Sequence, residues 1–93
     1  MSCSKSNEGN QGKELGPPNW APLETKLRET GRPLSLCAVF MWMWREGGIE
    51  FYKHVETRRY LLLDSEQHCW RQGDGGLKLS DFERELRRAT ERI

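Results

Sequence analysis

The most hydrophobic part of the chain is the run over residues 34–44, which holds one hydroxyl group and no charge. Its aromatic and branched side chains favour a β-strand over a helix. Apolar residues stand at both the even and the odd positions of the run. A strand of this kind is covered on both sides by its own chain, or on one side by a second molecule. The run therefore predicts a central strand with a surface for interaction.

The residues that follow this run predict an antiparallel meander. Gly47-Gly48 supplies a turn, and residues 49–55 then alternate between apolar and polar side chains. A polar connection at residues 57–59 leads to a third strand at 60–64, and a short fourth segment follows at 68–72. We therefore expect a three- or four-stranded sheet over about residues 34–72.

Two helices flank the predicted sheet. Residues 19–30 predict a short helix, with Asn19 as its cap and Gly31 as its stop signal. Ser80, followed by Glu83, predicts a capping box that starts a second helix. Apolar residues then recur at steps of three and four: Leu79, Phe82, Leu86, Ala89 and Ile93. The predicted fold class is α+β, with a short N-terminal helix, an antiparallel meander and a C-terminal amphipathic helix packed on one sheet face.

Composition divides the chain into a polar tail and one small domain. Residues 1–18 contain a single leucine and cannot bury enough apolar surface to offset chain entropy, so we expect a disordered tail. Residues 19–93 form the predicted domain, whose small size favours a homodimer or another protein partner. The 15 basic and 14 acidic residues leave a net charge of +1, so no long-range field draws the protein to nucleic acid or a membrane.

The cysteines and the apolar run indicate the cellular location that we expect for the protein. Cys3, Cys37 and Cys69 are an odd number, and the chain lacks the pattern of a secretory signal, which favours a reducing cytoplasm or nucleus. The run at 34–44 is shorter than the roughly 20 residues that a membrane helix needs, so we expect no membrane span.

No residue pattern points to catalysis. His54, His68 and the cysteines lack the spacing of a metal site, and Cys37 lies in the most apolar run, where a thiol is usually inert. No glycine-rich phosphate loop is present either. We therefore expect no enzymatic activity, no catalytic residue, no metal, no cofactor and no small-molecule substrate.

Large apolar side chains are the first candidates for binding. On a regular strand, Phe40, Trp42 and Trp44 would form a ladder on one face, suited to bases or to an apolar groove. The alternative is that all three belong to the core under the C-terminal helix. We expect at least one tryptophan on the surface, where it would be a favoured contact. The candidate residues are Trp20, Met41, Trp42, Met43, Trp44 and Trp70.

Arginines are the second set of candidates, because a guanidinium group can bind phosphate. The candidates are Arg58 and Arg59 before the third strand, and Arg84 and Arg88 on the C-terminal helix. However, Glu83 and Glu85 each precede an arginine by three or four positions, and pairing within the helix would leave a neutralised, solvated face. Both interpretations remain open from the sequence.

The order of a short helix, three strands and a long helix resembles the double-stranded-RNA-binding domain, which implies recognition of duplex RNA. That family places lysines where this chain has the acidic turn Ser80-Asp81-Phe82-Glu83. By analogy, Trp20 ahead of a strand-rich segment is similar to the tryptophans of the small silencing suppressors of tombusviruses. Neither likeness assigns the chain to a family.

The sequence thus leads to two functional hypotheses. The first is a non-enzymatic protein-interaction module, such as a small accessory or regulatory protein of viral type, that acts through an aromatic and apolar sheet face and forms a homodimer. The alternative is an RNA-binding protein that uses tryptophan stacking and arginine–phosphate contacts. Salt dependence separates them, since phosphate contacts weaken steeply with salt and apolar contacts do not.

Overall fold

A computed structural model describes residues 13–91. A 3₁₀ helix, Leu34–Val39, precedes the second of six strands, and the strands form one antiparallel sheet in sequence order. The α+β class is confirmed, whereas the prediction of three or four strands was too low. The elements are β1 (Lys13–Glu14), α1 (Ala21–Glu29), β2 (Phe40–Glu46), β3 (Ile49–His54), β4 (Tyr60–Asp64), β5 (Cys69–Gly73), β6 (Gly76–Ser80) and α2 (Phe82–Thr90).

The sequence interpretation missed two strands. Residues 73–76 form the tight turn of a hairpin in which Gly73 pairs with Gly76, so a further strand, β6, follows the predicted fourth segment. The second missed strand, β1, lies within the predicted polar tail and pairs with Glu46 and Arg45 of β2. Residues 1–12 lie outside the described residues. With six strands, the resemblance to the double-stranded-RNA-binding domain in element order is also lost.

The first half of the apolar run is not a strand. Leu34–Val39 forms a 3₁₀ helix in which the Leu36 amide donates to the Pro33 carbonyl at 3.1 Å. A strand that began at residue 34 would extend well beyond its neighbour β3, which has six residues, and would leave backbone groups unpaired. Local hydrogen bonds satisfy them instead, so the predicted strand was wrong for residues 34–39.

A β-bulge interrupts β2 between Trp42 and Trp44. Trp42 pairs with Tyr52 and Trp44 pairs with Phe51, so Met43 is an extra residue on β2. Trp42 consequently lies on the helix side of the sheet, whereas Met43 and Trp44 pack on the opposite side. The predicted ladder of aromatic residues on one face was therefore wrong, because strict alternation holds only in a strand without a bulge.

The main core lies between the two helices and one face of the sheet. Its buried residues come from both helices and from four of the strands: Leu23, Leu27, Phe40, Tyr52, Leu61, Leu63, Cys69, Phe82, Leu86 and Ala89. Leu79, which was expected on the stripe of α2, belongs to β6 and is 64% exposed, so its assignment was wrong. Ile93 lies outside the described residues.

The N-terminus of α2 is capped one residue later than predicted. Asp81, and not Ser80, is the N-cap, and its Oδ2 accepts from the Arg84 amide at 2.9 Å. Ser80 is still paired in β6, and its hydroxyl donates to Glu85 Oε2 at 2.7 Å. Between residues 13 and 91, neither α-helix has the length and apolar composition needed to cross a bilayer.

Candidate binding surfaces

The face of the sheet opposite the helices carries a second apolar cluster. Ile49, Phe51 and Leu62 are buried there beneath half-buried neighbours. Among the described residues, this cluster contains no residue of either helix. Met41 lies on the same side, since it pairs with Lys53, and is 40% exposed. We call this surface the open face; it comprises Met41, Met43, Trp44, Ile49, Phe51, Tyr60, Leu62 and Trp70.

Aromatic rings pack against one another on the open face. The rings of Trp44 and Phe51 are stacked, with centroids 4.9 Å apart and planes 20° apart. The centroid of Tyr60 lies 5.7 Å from that of Trp44 and 6.3 Å from that of Phe51. This packing buries Phe51, while Trp44 and Tyr60 each keep part of a ring accessible. The open face is thus an ordered aromatic surface.

Hydrogen bonds orient the two indoles of the open face. Trp44 Nε1 donates to Glu46 Oε1, and Trp70 Nε1 donates to Asp64 Oδ2, both at 3.0 Å. Although partial burial acts to raise the pKa of Asp64, hydrogen bonds from the His68 amide and the Trp70 indole outweigh it and lower that pKa. Each indole is therefore held by a carboxylate.

Two lysines lie over the rings of the open face. Lys13 Nζ is 4.2 Å from the Trp44 ring centroid, and Lys53 Nζ is 5.9 Å from that of Tyr60. A cation at this distance is attracted by the ring quadrupole. The aromatic surface is therefore bordered by positive charge, a feature that the sequence pattern did not predict.

Trp42 and Trp20 lie on the helix side. The Trp42 indole donates to Glu50 Oε1 at 2.6 Å, and Arg45 Nε donates to Glu50 Oε2 at 2.7 Å. Trp20 stacks on Tyr52, with centroids 5.3 Å apart. Burial and the nearby Glu50 carboxylate raise the pKa of the Tyr52 hydroxyl. These two tryptophans therefore support the fold and are separated from the open face by the sheet.

A cleft opens where β4 and β5 separate. The two strands pair only at Leu62 with Trp70 and at Leu63 with Cys69, and β5 then continues alongside β6 alone. The resulting cavity has a volume of about 250 Å³, and we call it the β4–β5 cleft. Its lining residues come from both strands and from α2: Arg59, Tyr60, Leu62, Trp70, Arg71, Gln72, Glu85, Arg88 and Ala89.

A second depression, of about 480 Å³, adjoins the β4–β5 cleft along α2. The two share Arg59 and Arg88, so their arginines form one continuous patch. Arg59 Nη1 donates to the Arg88 carbonyl at 2.7 Å and to the Glu91 carbonyl at 3.3 Å, which fixes its guanidinium group at the end of α2. We call Arg59, Arg71, Arg84, Arg87 and Arg88 the arginine cluster.

The acidic residues of α2 do not neutralise this cluster. Glu83 forms an ion pair with Arg32, and Glu85 is 5% exposed and accepts from Ser80. The predicted pairing of Glu83 and Glu85 within the helix was therefore wrong, because both carboxylates turn to partners on other elements. Over residues 13–91, no arginine of the cluster has a carboxylate oxygen within 4.0 Å.

The remaining polar candidates serve the fold. His54 is buried, and its Nδ1 accepts from the amides of Glu56 and Thr57 at 3.1 and 3.2 Å. Burial raises the pKa of the Cys69 thiol to about 12, and it also raises that of Cys37, so neither thiol is an activated nucleophile. No group of three metal-ligating side chains occurs in the part of the chain that the structure describes.

The structure thus divides the predicted site residues into three sets. The open face contains Met41, Met43, Trp44 and Trp70. The arginine cluster contains Arg59, Arg84 and Arg88. Neither surface contains Trp20, Trp42 or Arg58. The sequence interpretation missed Tyr60, which reaches both surfaces. The sequence feature that could have identified Tyr60 is its alternation with Leu62 directly after Arg59.

Comparison of the chain with protein-family models, with curated proteins and with solved structures found no match.

Proposed function

We propose that this protein is a non-enzymatic module that binds another protein through the open face and acts in the cytoplasm or nucleus. The observation that carries the proposal is the set of half-buried aromatic rings, held by hydrogen bonds and left without a covering helix in residues 13–91. Fixed indole and phenol rings give a large contact area at little cost in conformational entropy. They are therefore favoured contact residues in protein interfaces.

The partner that we propose first is a second copy of the chain. In a two-fold dimer, the same patch of both subunits forms the interface, so an exposed residue at its edge meets its equivalent or a neighbour. Met41, which is 40% exposed, and the half-buried Met43 are candidates for this contact, since both lie on the open face and a flexible thioether adapts to an irregular contact. Lysine at both positions would place charge in the interface.

Sedimentation velocity tests this proposal. We expect a dimer at micromolar concentration, and we expect Met41→Lys with Met43→Lys to give a folded monomer. Ser35→Lys with Ala38→Lys is the matched control, because both residues are exposed in the 3₁₀ helix away from the open face, and it should remain dimeric. A monomer in the unmodified protein would refute self-association.

A heterologous partner is then tested by affinity capture with the same two double variants, with and without nuclease. Binding of a partner that survives nuclease and is lost only in the variant of Met41 and Met43 supports docking on the open face. Loss of every partner after nuclease treatment would instead contradict the protein-interaction proposal.

The second candidate function is RNA binding, which the arginine cluster favours. None of the five arginines of the cluster has a carboxylate partner in the described chain, and Arg59, Arg71 and Arg88 line the β4–β5 cleft together with Tyr60 and Trp70. Arginine–phosphate contacts combined with stacking are the usual means of binding single-stranded nucleic acid. Affinity for RNA should then fall steeply between low and moderate salt, whereas the dimer should change little.

A further inference from the structure

We infer that the β4–β5 cleft is a binding site for one phosphate and the adjoining base of single-stranded RNA, an inference that rests on the second candidate function. The cleft joins two kinds of side chain that this ligand needs. Arginines line one part of it, and the aromatic residues Tyr60 and Trp70 line another.

The phosphate position is defined by Arg59, Arg71 and Arg88. A guanidinium group presents a planar fork of N–H donors that matches phosphate oxygens. Arg59 is already held by the carbonyls of Arg88 and Glu91, so less side-chain freedom is lost when it meets the ligand. The single carboxylate in the lining, Glu85, is buried and bound to Ser80, and it leaves the three guanidinium groups without a carboxylate partner among the described residues.

The base position is defined by Tyr60 and Trp70, which come from the two strands that separate at the cleft. Both rings are half-buried, so each keeps an accessible part, and Asp64 fixes the indole of Trp70. Every base has a π-face that can stack on such a ring, whatever the sequence. We therefore expect binding with little sequence preference.

The shape of the site favours a single strand. A duplex keeps its internal bases stacked on one another, whereas an unpaired strand can place any of its bases against protein rings. Beyond the cleft, Arg84 and Arg88 lie four residues apart on α2, which separates them by about 6 Å along the helix axis. A row of guanidinium groups at this spacing extends the site along the backbone of an extended strand.

Fluorescence anisotropy with a labelled oligouridylate of about 10 nucleotides tests the inference. The variants are Arg71→Gln and Arg88→Gln, with Arg28→Gln as the control. All three arginines are exposed and make no side-chain hydrogen bond within residues 13–91, but Arg28 lies on α1 outside the cleft. Thermal melts establish that each variant is folded.

We expect each cleft variant to weaken binding about tenfold at low salt and to lower the slope of log affinity against log salt by about 0.7, the value for one lost phosphate contact on a single strand. Arg28→Gln should change neither quantity. Trp70→Leu should weaken binding of the oligouridylate, and Trp70→Phe should restore most of it, because a ring is again present for stacking.

The outcomes separate the two levels of the proposal. If the unmodified protein binds no oligonucleotide at low salt, both RNA binding and the cleft site are refuted. If it binds, but Arg28→Gln weakens binding as much as the cleft variants do, RNA binding stands and the cleft is not the site. Tighter binding of the matching duplex, or of a phosphoserine peptide, than of the single strand would overturn the assignment of the ligand.

Discussion

Replacement of Glu50 by alanine should destabilise the protein strongly, because this carboxylate organises the helix side of the sheet. Glu50 is 3% exposed. Its Oε1 accepts from the Trp42 indole at 2.6 Å, and its Oε2 accepts from Arg45 Nε at 2.7 Å and Asn19 Nδ2 at 3.2 Å. The side chain thus joins the segment before α1 to two adjacent strands.

The magnitude follows from what Glu50→Ala leaves behind. Removal of one partner of a buried ion pair costs about 3–5 kcal/mol, and an unsatisfied indole N–H adds to this. Arg45 retains 23% side-chain exposure and a contact with Glu14, so water and that carboxylate recover part of the loss. We therefore expect a cost of about 3 kcal/mol, a large share of the roughly 5 kcal/mol available to so small a domain.

Urea denaturation monitored by circular dichroism measures this cost. The midpoint should fall while the m-value stays constant, since the surface exposed on unfolding is unchanged. Glu50→Gln keeps an acceptor for Trp42 and should cost about half as much. Glu66→Ala removes an exposed carboxylate as the control and should have almost no effect. A loss below about 1 kcal/mol for Glu50→Ala would refute the reasoning.

Two further predictions concern stability. Leu86→Asp places a charge in the main core at a residue that is 3% exposed. It should lower the free energy of unfolding by about 4 kcal/mol or more and abolish the cooperative melt. Arg87→Asp, on the exposed side of α2, is the control and should keep a cooperative melt. Asp64, whose pKa is lowered below its usual 3.8, contributes stability that is present above that pH and lost as the pH falls through the native pKa. Asp64→Asn should therefore reduce the slope of the unfolding free energy against pH in the acid range. An equal slope in the variant and the unmodified protein would contradict this.

Local turn chemistry and alternation made part of the fold predictable. Gly47 and Gly48 both have positive φ values, 61° and 80°, a conformation that glycine adopts readily and that fits a two-residue hairpin turn. The third predicted strand, residues 60–64, has the bounds of β4. Both features depend on near neighbours in sequence, so the chain itself carries the information.

The errors arose where strand partners decide the structure. The bulge in β2 and the 3₁₀ helix before it depend on how far β3 extends alongside, which no pattern within residues 34–44 reveals. The strand β6 left a weak signal, the alternation Leu77-Lys78-Leu79 after a glycine-rich turn. Five residues of an edge strand carry too little alternation to stand out, and Lys78 is the type of charge that protects an edge from further pairing.

Net charge alone does not show which charges the fold uses. Three of the tryptophans donate their indole N–H to a carboxylate, and these pairs are Trp42 with Glu50, Trp44 with Glu46 and Trp70 with Asp64. Glu83 and Glu85 are likewise engaged, with Arg32 and Ser80. These acidic side chains thus orient aromatic rings and connect secondary-structure elements, and they form no ion pairs with the arginines of α2. A chain with a net charge of +1 can in this way present both an ordered aromatic face and a local cationic patch.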